Sequence, residues 1–188
     1  MRLMSVHLLG VFVLQSLARG QDPATAHSRS AYAGEERRNI KALSAEDAQA
    51  YENGEGMGYA RAAELNHYPG PKHVLDAAAE LGLTPGQKQQ TEKIYRDMHK
   101  KAVRAGRKIV RDESRLDDLF SSGRIDPKQL DSLTATIAIS EGSLRAIHLG
   151  AHLAEREVLT PGQIQKYDAL RGYQGMGAHQ HHSQMHQH

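Results

Sequence analysis

At 188 residues the chain has room for one domain with tails, and its 39% hydrophobic and 5% aromatic content, with no Trp and two Phe, is too lean for a thick β-sandwich and suits slender helices. A formal net charge of +2 makes no demand for nucleic acid. The absence of Cys excludes a disulfide framework and thiolate chemistry.

Arg2 opens a short positive segment, Leu3 to Leu14 is mostly apolar, and Ser16-Leu17-Ala18 and Ala18-Arg19-Gly20 both fit a small-x-small cleavage rule. The run is shorter than the roughly 20 apolar residues of a membrane span. Residues 1–20 therefore read as a cleaved secretory signal, which places the mature chain in the periplasm with no membrane-spanning segment. Residues 21–39 mix Pro23, Ser28, Ser30 and Gly34 with charges and read as a linker. Ser44 caps a helix that ends at Asn53-Gly54. Gly54-Glu55-Gly56-Met57-Gly58 is glycine-rich, but no strand precedes it, so it reads as a hinge rather than a phosphate loop. Tyr59 to Asn66 is a short helix broken by Pro69-Gly70-Pro71, and Lys72 to Leu81 is another, stopped by Gly82.

Leu83-Thr84-Pro85-Gly86-Gln87 follows. Thr84 caps the next helix, Pro85 occupies the first helical position, and Gln87 reaches back to the Thr84 N–H, which makes a capping box. The same box returns as Leu159-Thr160-Pro161-Gly162-Gln163 and opens a last helix to about Arg171. Between the boxes lie two long helices, Pro85 to about Ser121 and a second one capped by Asp126. The second carries Leu130, Leu133, Ile137, Ser140, Leu144, Ile147, Ala151, Ala154 and Val158 at alternating steps of three and four, a 3.5-residue period. Two such helices joined by a short turn are expected to pair as an antiparallel hairpin. No segment alternates with period two. The expected fold class is all-α: a long helical hairpin with short flanking helices over residues 40–173, followed by a polar tail, 174–188.

Two Leu-Thr-Pro-x-Gln boxes flanking a helical hairpin in a Cys-free, signal-bearing chain resemble the LTxxQ family, which includes Spy, CpxP and the zinc resistance-associated protein, and the related periplasmic heavy-metal sensors. The stretches Ala63 to Pro71, Ala151 to Leu153 and Tyr167 to Tyr173 also look like members of this group. The resemblance implies a cradle-like periplasmic homodimer, and the lack of a catalytic arrangement in the residues leads to the expectation that it is not an enzyme and requires no cofactor. It further implies ATP-independent, chaperone-like holding of unfolded client proteins in envelope stress, or contact with a membrane-bound sensor. The alternative it leaves is a metal-binding protein of sensing or heavy-metal resistance.

Histidine is abundant, with 12 in the chain. His148 and His152 are four apart, so both rings share one side of a helix, on the flank of the apolar stripe. If the turn centres near Gly123, helix partners have numbers adding to about 246, which brings His99 level with His148, with Tyr95 and Met98 nearby. His99, His148 and His152 would suit a Zn, Cu or Ni ion through neutral imidazoles, with binding that weakens below about pH 6.5. The tail adds His179, His181, His182, His186 and His188, with Met176 and Met185, as a second chelating segment. No Gly-x-Ser-x-Gly or His-Glu-x-x-His occurs. The first long helix is rich in Lys and Arg, read as a solvated face or as a surface that attracts acidic or unfolded clients.

Overall fold

A computed structural model describes residues 29–173, all-helical apart from its turns and bends. The chain divides into two units, 1–34 and 35–188. In the first, the described residues 29–34 form a turn in which Ala33 N–H donates to the Ser30 carbonyl at 3.1 Å. The second contains a 3-10 turn at Glu35–Arg37 and seven α-helices: α1 (Ala45–Glu52), α2 (Arg61–Glu64), α3 (Pro71–Asp76), α4 (Ala78–Leu81), α5 (Pro85–Ser121), α6 (Pro127–Val158) and α7 (Pro161–Leu170). No strand occurs among the described residues, and none of their helices is long and apolar enough to cross a membrane. The expected signal segment 1–20, the first part of the linker and the tail 174–188 lie outside the described residues.

The helix starts follow the local chemistry of the sequence. Thr84 and Thr160 each accept a bond from the N–H of the Gln three residues on, and each Gln side chain reaches back to the capping residue's N–H. Asp126 and Gln129 form a third reciprocal box. Each of these three helices has Pro in its first turn, where a missing N–H leaves no bond unmade. Gly82 and Gly123 take φ near +65°, which stops α4 and turns the chain after α5.

Two short elements differ from expectation. The helix expected over Tyr59 to Asn66 contracts to α2, because the Asn66 amide donates to the Ala62 carbonyl at 2.7 Å and His67 adopts φ 64°, which together end the helical ladder. The run expected over Lys72 to Leu81 starts at Pro71 and breaks at Ala77, whose φ −105° and ψ 21° lie outside helical geometry.

The long helices α5 and α6 pack together along their length. The Thr91 hydroxyl donates to Glu155 at 2.8 Å, and the Lys108 ammonium donates to Ser140 at 3.1 Å, so partner numbers fall along one helix as they rise along the other. Thr91 with Glu155 meets the expected register. The apolar stripe of α6 does not stay in the seam to its end. Leu133, Ile137, Ser140, Leu144 and Ala151 are buried as the heptad predicts, but Ala154 is exposed and Glu155 buried in its place. A helix of 3.6 residues per turn drifts about 20° per heptad against a 3.5-residue repeat, which moves the inward position on by one residue.

Two small cores result. Tyr51, Ala102, Ile109 and Leu144 form one where α1 lies across α5 and α6. Contact there is close: a Cβ added at Gly106 would fall on the Tyr51 carbonyl, and one at Gly54 would come within 2.8 Å of the Val103 nitrogen. The five residues read as a hinge are thus in part a docking turn against α5. Val74, Leu81, Leu159 and Tyr167 form the second core, where α3 and α4 meet α7.

Candidate functional site

The repeated boxes meet in space. The Gln87 amide donates to the Gln163 side-chain oxygen at 2.9 Å, and the Gln163 amide donates back to Gln87 at 3.1 Å. Gln87 also donates to the Val158 carbonyl at 2.9 Å. Leu83 and Leu159 pack in the second core beside them. Each Gln therefore caps its own helix and clasps the other's box. Thr84, Gln87, Thr160 and Gln163 bond to one another and to neighbouring backbone, which makes the two boxes a structural clasp.

The candidate site lies between the two cores. A cleft of about 780 Å³ takes its walls from the turn after α1, from α2, from the start of α3 and from the facing sides of α5 and α6. That volume falls within the range of small-ligand sites. Four imidazoles line it: His73, His99, His148 and His152. Tyr95 and Met98 lie beside them on α5, and His99 stacks on Tyr95 with ring centroids 5.8 Å apart.

His148 and His152 are buried, at 5% and 9% exposure, rather than on a surface flank. The reason is tertiary: the turn after α1 and the loop before α3 fold over this stretch of α6 and cover it. The Nδ1–H of His152 donates to the Tyr68 carbonyl at 2.7 Å, and its Cε1–Nε2 edge lies against Gly70, where an added Cβ would come within 2.9 Å of the ring. The Nε2 of His148 is buried with no partner. The Tyr68 carbonyl sets the His152 ring in the tautomer that leaves Nε2 as a bare lone pair, the second-sphere arrangement typical of metal-bound imidazole. Burial holds the His148 ring below the ordinary histidine pKa, and the neighbouring His152 adds to this, so the ring is neutral near pH 7. Burial likewise lowers His73, with Arg171 contributing.

Among the described residues, no three His, Asp or Glu side chains converge closely enough to surround an ion. His99 shares the cleft with His148 and His152 but does not close a three-imidazole set with them. The tail residues His179, His181, His182, His186 and His188 lie outside the described residues.

Three groups along this stretch of the fold have no local signature in the sequence. Glu64 on α2 accepts from Tyr167 at 2.6 Å, Tyr173 at 3.0 Å and Arg171 at 3.3 Å, and its second oxygen lies 3.6 Å from His152 Nδ1. Its donors come from more than 100 residues away in sequence. Tyr68 supplies the carbonyl that orients His152, and Arg156 stacks on its ring at 4.1 Å. Glu155, fully buried beside the Thr91 hydroxyl, is pushed up to about pKa 7 by burial.

No family model matches this sequence, and neither a curated protein nor a solved structure matches it.

Proposed function

We propose that this chain is an exported, periplasmic metal-handling protein that holds a borderline or soft ion, Cu, Zn or Ni, in the cleft through Nε2 of His148 and Nε2 of His152. The observation that carries this reading is the buried, unpartnered Nε2 of His148 beside a second imidazole whose Nδ1 is held by the Tyr68 carbonyl. A buried polar atom without a partner costs on the order of 1–3 kcal/mol, and a metal ion would remove that cost. Two neutral nitrogens suffice for a weak site, and water would complete the coordination. Truncation after Tyr173 isolates the cleft from the tail histidines. The expected result is retained binding of Zn²⁺ or Cu²⁺ near one per chain by titration calorimetry, abolished by His148→Ala with His152→Ala. Complete loss on truncation alone would leave chelation to the tail.

The LTxxQ resemblance also supports a second reading, an ATP-independent, envelope-stress chaperone that works as a homodimer of antiparallel hairpins. One observation favours it. Ala135, Ile139, Gly142, Ala146, Leu149 and Leu153 repeat at steps of four and three along the side of α6 away from the seam, and Ile139 and Leu153 are 70% and 58% exposed. A second copy or an unfolded client would cover such a face. Suppression of aggregation of a denatured client without ATP tests the chaperone role. No suppression at several-fold molar excess rules it out.

A further inference from the structure

The outer face of α5 carries charge that the fold does not neutralise. Lys93 pairs with Asp97, Arg96 with Glu92, and Lys108 with Asp112. Lys100, Arg104, Arg107, Arg111 and Arg115 form no ion pair among the described residues, and all five are exposed. At about 100° per residue they fall within a sector of about 80°, over a length of about 22 Å. Asp112 and Glu113, the acids within that stretch, point away from the sector. Arg107, Arg111 and Arg115 stand four apart in succession, as do Lys100 and Arg104, and each like-charge pair at this spacing costs a few tenths of a kcal/mol. The ridge is self-repelling as it stands, and an external anion array would relieve it.

The ridge itself indicates the kind of partner. A protein partner is normally held by apolar or aromatic anchors at the centre of its interface. The one exposed large hydrophobic on α5 is Phe120, on the opposite side of the helix from the ridge. What the face offers is a straight row of cations, four of them arginines, whose planar guanidinium forks match phosphate oxygens. It projects from the helix surface rather than lining a groove, which suits a flat array of headgroups. We propose that this face of α5 docks the protein on an anionic phospholipid surface, by electrostatics and without insertion. An exported chain meets such a surface before it meets nucleic acid, the other phosphate array of comparable charge density.

The test uses the full chain, so that the apolar Leu3–Leu14 run is common to every arm. Wild type is co-sedimented with phosphatidylglycerol vesicles and with phosphatidylcholine vesicles, at low and at high salt. The same is done for a variant carrying Arg104→Gln, Arg107→Gln, Arg111→Gln and Arg115→Gln together. At about 1 kcal/mol per basic residue near an anionic surface, the variant should lose at least about 100-fold in affinity for phosphatidylglycerol. Wild-type binding should be far weaker to phosphatidylcholine and should fall steeply with salt. The matching four-fold Arg→Lys variant, which keeps the charge, should bind within a few-fold of wild type and guards against a folding defect. Equal binding to the two lipids, salt-independent binding, or an undiminished four-fold Gln variant with an unchanged helical spectrum would overturn the proposal. Preference for double-stranded DNA or polyphosphate over vesicles would overturn it as well.

Discussion

Glu155 is fully buried, with one oxygen held by the Thr91 hydroxyl and the other without a partner. Its carboxyl, pushed from 4.5 up to about 7, stays protonated in the fold at pH values where the unfolded chain has released the proton. The contribution of this carboxyl to stability therefore falls as pH rises from about 4.5 to 7, by about 3 kcal/mol in all, and is level on either side of that window. In urea unfolding across this range the stability of wild type relative to Glu155→Gln should fall with that slope, with the variant gaining most at pH 8. A second residue-scale prediction concerns Gly70. Its hydrogen is all that fits beside the His152 ring, so Gly70→Ala should displace the imidazole and weaken ion binding at the cleft while leaving the tail unaffected. Calorimetry on the chain truncated after Tyr173 measures this directly.

The two boxes act as one device at the scale of elements. Each makes a helix start on its own, but the reciprocal Gln87–Gln163 amides join the start of α5 to the start of α7. Gln87→Ala or Gln163→Ala leaves the partner amide and a carbonyl short of a bond, at a cost of about 1–2 kcal/mol each. The double-mutant cycle should return a coupling of about 1 kcal/mol by chemical denaturation, and additivity would show that the clasp contributes nothing beyond two caps. The crossing of α1 over α5 depends on Gly106 in the same way. A methyl there meets the Tyr51 carbonyl, which cannot withdraw without moving α1, so Gly106→Ala should cost at least about 2 kcal/mol in thermal or urea unfolding.

The described helical unit relies on two modest cores linked by α5 and α6, and the cleft lies between them. Such an arrangement has little reserve at its centre. Leu144 is fully buried in the first core, and Leu144→Asp places a charge there with no partner; loss of the cooperative helical signal in circular dichroism is the expected outcome. The cleft and the α5 ridge are independent at this scale. Substituting the ridge arginines should leave ion binding at His148 and His152 unchanged, and substituting the histidines should leave lipid binding unchanged.

The all-helical class, the boundaries of the side-chain-capped helices α1, α5, α6 and α7 and the direction of the α5–α6 register were legible in the sequence, because caps, prolines at first turns and a long heptad act within a few residues of themselves. Thr84, Asp126 and Thr160 each announce a helix with no help from elsewhere in the chain. Pairing of the two Gln side chains was not legible, since a capping box reads the same whether or not it meets another. Nor was the burial of His148 and His152. Spacing put both rings on one side of α6, but which side became interior depended on the drift of a straight helix against its heptad and on the loop around Tyr68 and Gly70 folding over it. Glu64 gathers donors from Tyr167, Arg171 and Tyr173, and no local pattern marks a carboxylate that will do so. Local hydrogen bonding decides where helices begin and end; the packing of distant segments decides which of their side chains lose water, and at this cleft the loss of water is what leaves a neutral imidazole nitrogen available.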